Sequence, residues 1–401
     1  MDQRASPRIV TYGCVALVSM ILSWTSWSMA GTLDVESHWL PWLTILSRFG
    51  LIDGYAAIVD DYPPGTATLL FLASRVLPAA GEMAVFKSLV ACAQLGSTLL
   101  FVMHTGRAGI SLFYLLAVAL SASFLGYLDI LFAIPLIVSL FAALENRPIV
   151  SAAMFGIACF IKWQPLIVLP FMAVIWCGQA KALRRGPLIA AASLLTTGAF
   201  GIAYLFWPQI WNAFYSAFHQ IQWSAEALNF PWLVQILLGY GVQNINAPAY
   251  ALTALRILFY AIYLLIFTVG ALRCRGNPEQ MMTFALVGYV AYFMFAPSVH
   301  ENHLFLAMLL AIVLWSRSQH MRTVAIFLAV YTNLNLACFY GVTGEQPFST
   351  GPKFALLTGA IAATGVLSFV YLLRLLFMLP AEPLGRPLVD ASDVLPGNVH
   401  V

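Results

Sequence analysis

Long apolar runs, separated by short polar segments, dominate the pattern along this chain. Several runs reach the ~17–25 residues that a helix needs to cross a bilayer, and they lack the period-two alternation of a half-buried strand. Backbone amides in hydrocarbon must be paired within the protein, which favours helices here. The pattern therefore predicts an all-α polytopic membrane protein, one transmembrane domain over residues 1–401 with about twelve spanning helices. The predicted spans are residues 9–30, 65–79, 86–104, 130–144, 149–161, 163–178, 187–206, 251–272, 280–296, 303–316, 321–339 and 353–379.

Composition narrows the class of protein. Hydrophobic residues make up 61% of the 401 residues and charged residues only 9%, whereas a soluble domain carries about 25% charged residues. This composition excludes a soluble enzyme, and a net charge of +3 is too small to indicate a nucleic-acid partner. The six cysteines lie in or beside apolar segments without metal-ligand spacing, which indicates packing.

Lysine and arginine positions predict the orientation of the helices, because short cytoplasmic loops are enriched in both. The first apolar run is too long for a signal-peptide core, so it is predicted to be a retained span with a cytoplasmic N-terminus. Residues 380–401 form a predicted cytoplasmic tail. The basic residues that fall on this inner side are Arg4, Arg8, Lys181, Arg184, Arg185, Arg273, Arg275, Arg317, Arg322, Arg374 and Arg386. The carboxylates on the outer side are Asp34, Glu36, Asp53, Asp60, Asp61, Glu226, Glu301 and Glu345.

Two long outer loops, residues 31–64 and 207–250, are rich in tryptophan and predict helices lying in the membrane interface. Residues 110–126 are apolar enough to span, yet one more pass would break the alternation of sides. Either they re-enter the membrane without crossing, or 149–178 is one helix with Lys162 in mid-membrane. Re-entry is favoured, because Pro165 predicts a break and a lysine costs less near the interface.

The first outer loop offers the first candidate site residues. Asp34 follows the first span, and His38 shares a helical face with it at a spacing of four. Asp34 is predicted to be a carboxylate base, with helix capping or a solvated loop face as the alternative. Asp60 and Asp61 precede two prolines that fix the backbone at the membrane edge. A helix start explains the prolines, but two adjacent carboxylates call for a cation, a sugar or a helix N-terminus as partner.

Later segments place isolated polar residues inside apolar sequence. Asp129 and Lys162 are costly there and indicate function, with a structural Lys162–Asp129 pair as the alternative. His300 and His303 flank Glu301 on the outer side. Two histidines and a carboxylate suggest a metal site, but a third matching ligand is missing, which favours a polar cap for a phosphate or sugar. Nucleotide-binding glycine motifs and a nucleophile elbow are absent, which argues against nucleotide hydrolysis and an α/β-hydrolase.

These blocks, in this order, resemble the GT-C superfamily of membrane glycosyltransferases, which use polyprenyl-phosphate sugars. The likeness covers about residues 30–305. It is closest to the dolichyl-phosphate-glucose glucosyltransferases of N-glycan assembly and the bacterial polyprenyl-phosphate-mannose mannosyltransferases. The matching segments are residues 34–39 (DVESHW), similar to a loop that begins Asp-Tyr-Glu; 61–64 (DYPP); 126–129 (GYLD), where Tyr127 replaces Gln; 162–165 (KWQP); and 299–303 (VHENH), where Asn302 replaces Lys.

The resemblance implies a GT-C-like fold and an inverting transfer of a hexose, mannose or glucose, from a polyprenyl-phosphate donor to a glycan or glycolipid acceptor. It gives Asp34 the role of catalytic base, and Lys162, His300 and His303 contacts with the donor phosphate. No cofactor is expected, although a divalent metal stays open, and a bacterial inner membrane with a periplasmic site fits the compact loops. A transporter or lipid flippase is the alternative, and a non-catalytic assembly subunit is a third. The expected substrate-binding residues are Glu36, His38, Asp61, Tyr62, Asp129, Gln164 and Glu301.

Overall fold

A computed structural model describes residues 5–58, 60–180, 185–240, 246–274, 276–344 and 352–378. This part of the chain is all-helical apart from isolated bridge contacts, which confirms the predicted all-α class. Some predictions fall outside the described residues: the predicted tail at 380–401, the carboxylate Glu345, and the basic residues Arg4, Lys181, Arg184, Arg275 and Arg386. The α-helices are α1 Ala5–Ser26, α2 Leu40–Phe49, α3 Leu51–Ala57, α4 Pro64–Val76, α5 Glu82–Thr105, α6 Ala108–Ala119, α7 Asp129–Leu144, α8 Pro148–Ile161, α9 Leu169–Ala180, α10 Arg185–Leu205, α11 Gln209–Phe218, α12 Phe230–Leu237, α13 Ala249–Arg273, α14 Pro278–Phe295, α15 Phe305–Arg317, α16 Arg322–Tyr340 and α17 Pro352–Met378.

Several helices have the length and apolar composition of membrane spans, as expected of an integral membrane protein. Five described helices qualify alone, and a sixth does if α10 and α11, bent by 97° at their junction, form one broken span. Three shorter apolar helices follow further predicted spans, and a fourth covers most of residues 110–126. The five qualifying segments are Ile9–Ser26, Glu82–Thr105, Ala249–Arg273, Gln319–Tyr340 and Lys353–Met378, and the shorter ones are Ala108–Phe124, Asp129–Leu144, Pro148–Ile161 and Gln164–Ala180.

The helices are arranged around α14 and α15. Residues 305–314 of α15 are all buried, with at most 1% of any residue exposed. By contrast, α1, α10, α13 and α17 expose large apolar side chains such as Trp24, Phe200 and Leu356. Contact between so much apolar surface and water would be unfavourable, so these helix faces are expected to contact lipid.

The predicted span 65–79 does not cross the bundle. Lys87, near the start of α5, donates to the carbonyl of Ser26 at the end of α1, so the first turns of α5 lie at the same end of the bundle as the end of α1. The sequence predicts this end to be the outer one, and it is called the outer end below. Arg75, near the end of α4, donates to the carbonyl of Ser47, and Thr44 on the same short helix contacts Glu82 at the start of α5. The last turn of α4 is therefore also at the outer end. The prediction of a span at 65–79 was wrong because α4, which packs under the loop before it, is as apolar as a helix that crosses a membrane.

Residues 110–126 traverse the bundle, so the favoured re-entrant interpretation was also wrong. His104 at the end of α5 lies 3.4 Å from Glu145 at the inner end of α7, and α6 starts just after that end. A wide helical turn, Leu120–Phe124, continues α6 to Leu125, whose carbonyl accepts from the backbone N–H of Thr32 beyond α1. The two errors cancel along the bundle, because α4 stays at one end of it while residues 108–125 run to its other end. Asp129, at the start of α7, is therefore at the outer end of the bundle.

The predicted break after Lys162 is confirmed. Helix α8 ends at Ile161, Lys162 has extended backbone angles, and a new helical turn begins at Gln164. Proline at the second position of that turn cannot donate a backbone hydrogen bond to α8, which explains the break.

Close packing of α4 against α8 depends on Gly65. A Cβ added at Gly65 would lie 2.3 Å from the carbonyl oxygen of Phe160. We expect Gly65→Ala to destabilise the protein by roughly 1–3 kcal/mol, because backbone cannot yield as a side chain does. Thermal unfolding in detergent measures the effect. Gly156→Ala is the matched control, since a Cβ there meets nothing within 4 Å; an equal loss in both variants would contradict this reading.

Candidate functional site

A cavity of about 370 Å³ lies at the outer end of the bundle. Its walls come from the segments that connect the helices: the turn after α1, the chain before α4, the break after α8, the end of α11 with the residues that follow, and the α14–α15 connection. Most of the motifs singled out in the sequence therefore converge on one space. Nine of the predicted site residues line it: Asp34, His38, Asp61, Tyr62, Lys162, Gln164, His300, Glu301 and His303.

The first wall is a wide helical turn, Val35–Trp39, directly after Asp34. Val35 and Trp39 are buried and fix this turn against the core. Asp34 and His38 are left facing the cavity, with the Asp34 carboxylate 3.8 Å from Nδ1 of His38. The Asp34 side chain is 44% exposed and makes no helix-capping hydrogen bond, so the capping alternative is wrong. Glu36 is exposed and does not line the cavity.

The acidic pair before α4 forms the adjacent wall. Asp61 accepts a hydrogen bond from the Gln220 amide at 3.2 Å, and its carbonyl accepts one from the Trp163 indole at 2.9 Å. Asp60 lies 3.9 Å from Nε2 of His38. Burial, reinforced by the neighbouring Asp61, raises the pKa of Asp60 to about 8. At pH 7 Asp60 is therefore mostly neutral, which removes the repulsion that two adjacent carboxylates would otherwise cause.

Lys162 lines the cavity next to Tyr62 and has a buried partner. Its ammonium group donates to Asp129 at 2.8 Å, and the Asn302 amide donates to the other carboxylate oxygen at 2.9 Å. These contacts confirm the structural pair that was the alternative interpretation. Asp129 is completely buried and does not line the cavity, so its predicted contact with substrate is not found. Lys162 nevertheless lines the cavity, 5.2 Å from the centre of the Tyr62 ring. Asn302 stands where the family that the sequence resembles has lysine, and its amide stabilises the Asp129 carboxylate of this pair.

The α14–α15 connection supplies the two histidines. His300 is 3.1 Å from the Gln220 amide oxygen, and His303 is 2.9 Å from the hydroxyl of Tyr292. Burial lowers the pKa of His300, so its imidazole is neutral at pH 7. Neutral imidazoles can still donate one hydrogen bond each. Glu301 between them accepts a hydrogen bond from Tyr127, and burial followed by the charge of Glu226 raises the pKa of Glu301 to about 8.

Gln164 brings unused hydrogen-bonding groups to the cavity wall. Its side chain is buried, with 6% of the residue exposed, and it lines the cavity. Within the described part of the chain, neither its amide nitrogen nor its oxygen has a hydrogen-bond partner. An unpaired buried amide costs about 1–3 kcal/mol, which a bound ligand or ordered water would recover.

Sequence reasoning missed several cavity residues. Gln220 connects Asp61 to His300, but it lies in an aromatic segment without a recognisable motif. Tyr292 lies within a predicted span, where a tyrosine carries no distinct signal. Trp39 and Trp163 were treated as parts of motifs and not as lining residues. Asp60 was noted in the acidic pair, and its contact with His38 depends on folding.

The charges of the cavity differ from wall to wall. Asp34 and the Asp60–Asp61 pair make one side acidic, and Lys162 is the one lysine or arginine among its lining residues in the part of the chain described. Within these residues no group of three or more histidine, cysteine or carboxylate side chains is arranged to hold a metal ion.

No family model and no curated protein matches the chain. The function must therefore be inferred from the geometry and chemistry of this cavity.

Proposed function

We propose that the protein is an inverting glycosyltransferase of GT-C-like architecture. It transfers a hexose from a polyprenyl-phosphate donor to a hydroxyl group of a glycan or glycolipid acceptor. One observation carries this proposal: a half-exposed carboxylate, Asp34, and a buried lysine, Lys162, face the same cavity from different walls. Such a cavity has a side for proton removal and a side for phosphate.

The proposed architecture has twelve passes. Helices α1, α5, α6 with its extension, α7 to α10 and α13 to α17 alternate in direction, while α2 to α4, α11 and α12 remain at the outer end. The ion pair between His104 and Glu145 at one end and the Lys87–Ser26 contact at the other support this alternation. With the N-terminus cytoplasmic, the cavity opens on the extracytoplasmic face, which is the periplasmic face if the membrane is the inner membrane of a bacterium.

The proposed reaction is a single displacement. The acceptor oxygen attacks C1 of the sugar while the bond from C1 to the phosphate oxygen breaks, and its electron pair stays on the phosphate. Asp34 takes the hydroxyl proton as general base and later releases it to solvent. Its exposure allows an acceptor to approach it from outside. The products are the glycosylated acceptor and polyprenyl phosphate, with inverted configuration at C1.

The phosphate gains negative charge as it leaves and needs stabilisation more than a proton. Lys162 has three N–H donors and uses one of them for Asp129, so two remain for phosphate oxygens. The unpaired amide of Gln164 and the N–H of neutral His303 add donors on this side. The single N–H of neutral His300 is already donated to the Gln220 amide oxygen, so His300 holds Gln220 in place. Fixed donors of this kind lower the barrier where charge develops.

The remaining polar residues suit the sugar. Asp61 and Tyr62 provide hydrogen-bonding groups beside the Trp39 ring, which contacts Tyr62 with centres 5.0 Å apart. Glu301, neutral near pH 7 because burial raises its pKa to about 8, can both donate and accept a hydrogen bond. Glu36 points away from the cavity and has no part in this proposal.

A transfer assay separates this function from transport. Purified protein is incubated with polyprenyl-phosphate mannose or glucose, labelled in the sugar, together with envelope lipids as acceptors. We expect label attached covalently to an acceptor and an equal amount of released polyprenyl phosphate. If the protein is a flippase, sealed vesicles will show the labelled donor unchanged on the opposite leaflet, and the enzymatic proposal fails.

Donor binding is expected to weaken as the pH rises through about 8. Asp60 and Glu301 both have a pKa raised to about 8 by burial, so each is neutral at pH 7 and negative at pH 9. Added negative charge opposes an anionic phosphate, and we expect a roughly fivefold loss of affinity. Donor binding measured at pH 7 and pH 9 tests this. Asp60→Asn should reduce the pH dependence, and equal dependence in both proteins would contradict the assignment.

A further inference from the structure

A second cavity, of about 500 Å³, lies at the inner end of the bundle, remote from the first. It is formed by the turn between α5 and α6, the first half of α6 and the connection from α15 to α16. Arg107 and Arg322 line it, whereas no carboxylate does. The charge of this cavity is therefore positive, opposite to the acidic wall of the outer cavity.

Both arginines are exposed and available to a ligand. Among the described residues, neither guanidinium group has an ion-pair or hydrogen-bond partner. Arg147, at the same end of the bundle, instead lies 3.9 Å from the carboxylate of Glu145. Helix α6 begins at Ala108, and the unpaired N–H groups of its first turn favour anions. Arg322 instead continues the helical turn Gln319–Met321, and its backbone N–H is donated to the Gln319 carbonyl, so on this side the charge of the guanidinium group acts alone. Gly109 lines the cavity, and a Cβ added there would meet nothing within 4 Å.

The rest of the cavity wall is apolar and faces lipid. Phe113 and Trp315 pack edge to face with ring centres 5.1 Å apart, and Ile326 is 37% exposed. The indole N–H of Trp315 points to Gln319 at 3.4 Å, which marks the polar boundary of this wall. Arginines at the helix ends and apolar side chains one or two turns deeper match the profile of a phospholipid, with its charged headgroup at the surface and its acyl chain below.

We propose that this cavity binds an anionic phospholipid of the inner leaflet, with its phosphate at Arg107 and Arg322 and an acyl chain along Phe113 and Ile326. Charge complementarity selects an anionic lipid, because the two free arginines face no acidic side chain in the cavity. The apolar wall, continuous with the lipid-facing surface, selects a lipid over a soluble anion. The site does not depend on sugar transfer.

Native mass spectrometry of the full chain, with added phosphatidylglycerol or phosphatidylcholine, tests the proposal. We expect phosphatidylglycerol to bind preferentially. Each arginine near a charged headgroup contributes about fivefold in affinity, so Arg107→Gln with Arg322→Gln should lower phosphatidylglycerol affinity about 25-fold. The lysine versions of both substitutions should keep most of the preference, since they keep the charge.

Arg147→Gln is the matched control, because it removes an exposed arginine at the same end without touching the cavity. It should bind phosphatidylglycerol like the unaltered protein, and thermal unfolding should be unchanged in every variant, since both cavity arginines are exposed. The proposal is overturned if the double glutamine variant keeps its preference, if both lipids bind equally, or if inorganic phosphate at matched concentration displaces phosphatidylglycerol.

Discussion

Asp34→Asn is expected to lower the rate of sugar transfer by roughly 10²–10⁴-fold, the usual contribution of a general base. Asparagine keeps the size of the side chain but cannot accept the hydroxyl proton. Donor binding should change little, because the proposal places the donor phosphate at Lys162 and not at Asp34. The fold should also survive, because the Asp34 side chain is half-exposed and its contact with His38 is as long as 3.8 Å. Single-turnover transfer and donor binding, measured on the same preparation, test the expectation.

Glu36→Gln is the matched control for Asp34→Asn. Glu36 lies two residues further along the same helical turn, but it is exposed and outside the cavity. It should therefore transfer sugar at the normal rate. Normal turnover by Asp34→Asn would remove Asp34 from the role of base, and equal losses in both variants would indicate a disturbed turn instead of lost chemistry.

Lys162→Met should weaken donor binding by about 10- to 150-fold. A charged hydrogen bond to phosphate contributes about 1.5–3 kcal/mol, and Lys162 carries the one lysine or arginine charge among the described lining residues. The substitution also leaves Asp129 buried without its partner. Breaking a buried pair costs about 3–5 kcal/mol, so a lower thermal stability is expected as well. Donor titration and thermal unfolding measure the two effects.

A double variant separates these two effects. Lys162→Met with Asp129→Asn removes both charges of the pair, and Asn302 can still contact the new amide through its own side chain. Stability should largely return, because no unpaired charge is buried. Donor affinity should stay low, because the cation remains absent. Recovery of donor affinity in the double variant would reassign Lys162 to a purely structural role.

The helical class could be predicted from hydrophobic runs, and the gathering of the polar motifs at one end of the bundle from the alternation of those runs with basic residues. The path of the chain between α1 and α7 could not, because α4 is as apolar as a span yet packs beneath the outer loop. The alternation of loops between the two sides shows only whether the number of helices between two loops is odd or even. Counting residues 65–79 as a helix through the bundle and leaving out 110–126 therefore gave the same sides for every later loop. The path of α4 is shown by contacts such as that of Arg75 with Ser47, and such contacts depend on tertiary packing.

The site was predictable where a polar residue interrupts apolar sequence, because the cost of burying it marks it. Lys162 and Asp129 were found in this way, and their pairing was correctly offered as an alternative. Residues that are ordinary in their local context carried no signal, and Gln220 is the clearest case. It lies between Asp61 and His300 only because the segment after α11 folds back over the cavity.

The position of a bound donor tests the central claim most directly. A cryo-EM structure with a phosphonate analogue of a polyprenyl-phosphate hexose, whose bond to C1 cannot be broken by transfer, shows where each part of the donor lies. The proposal requires the phosphonate within hydrogen-bonding distance of Lys162, with C1 exposed toward Asp34 on the opposite face. A phosphonate bound outside the outer cavity, or on the same side of C1 as Asp34, would contradict it.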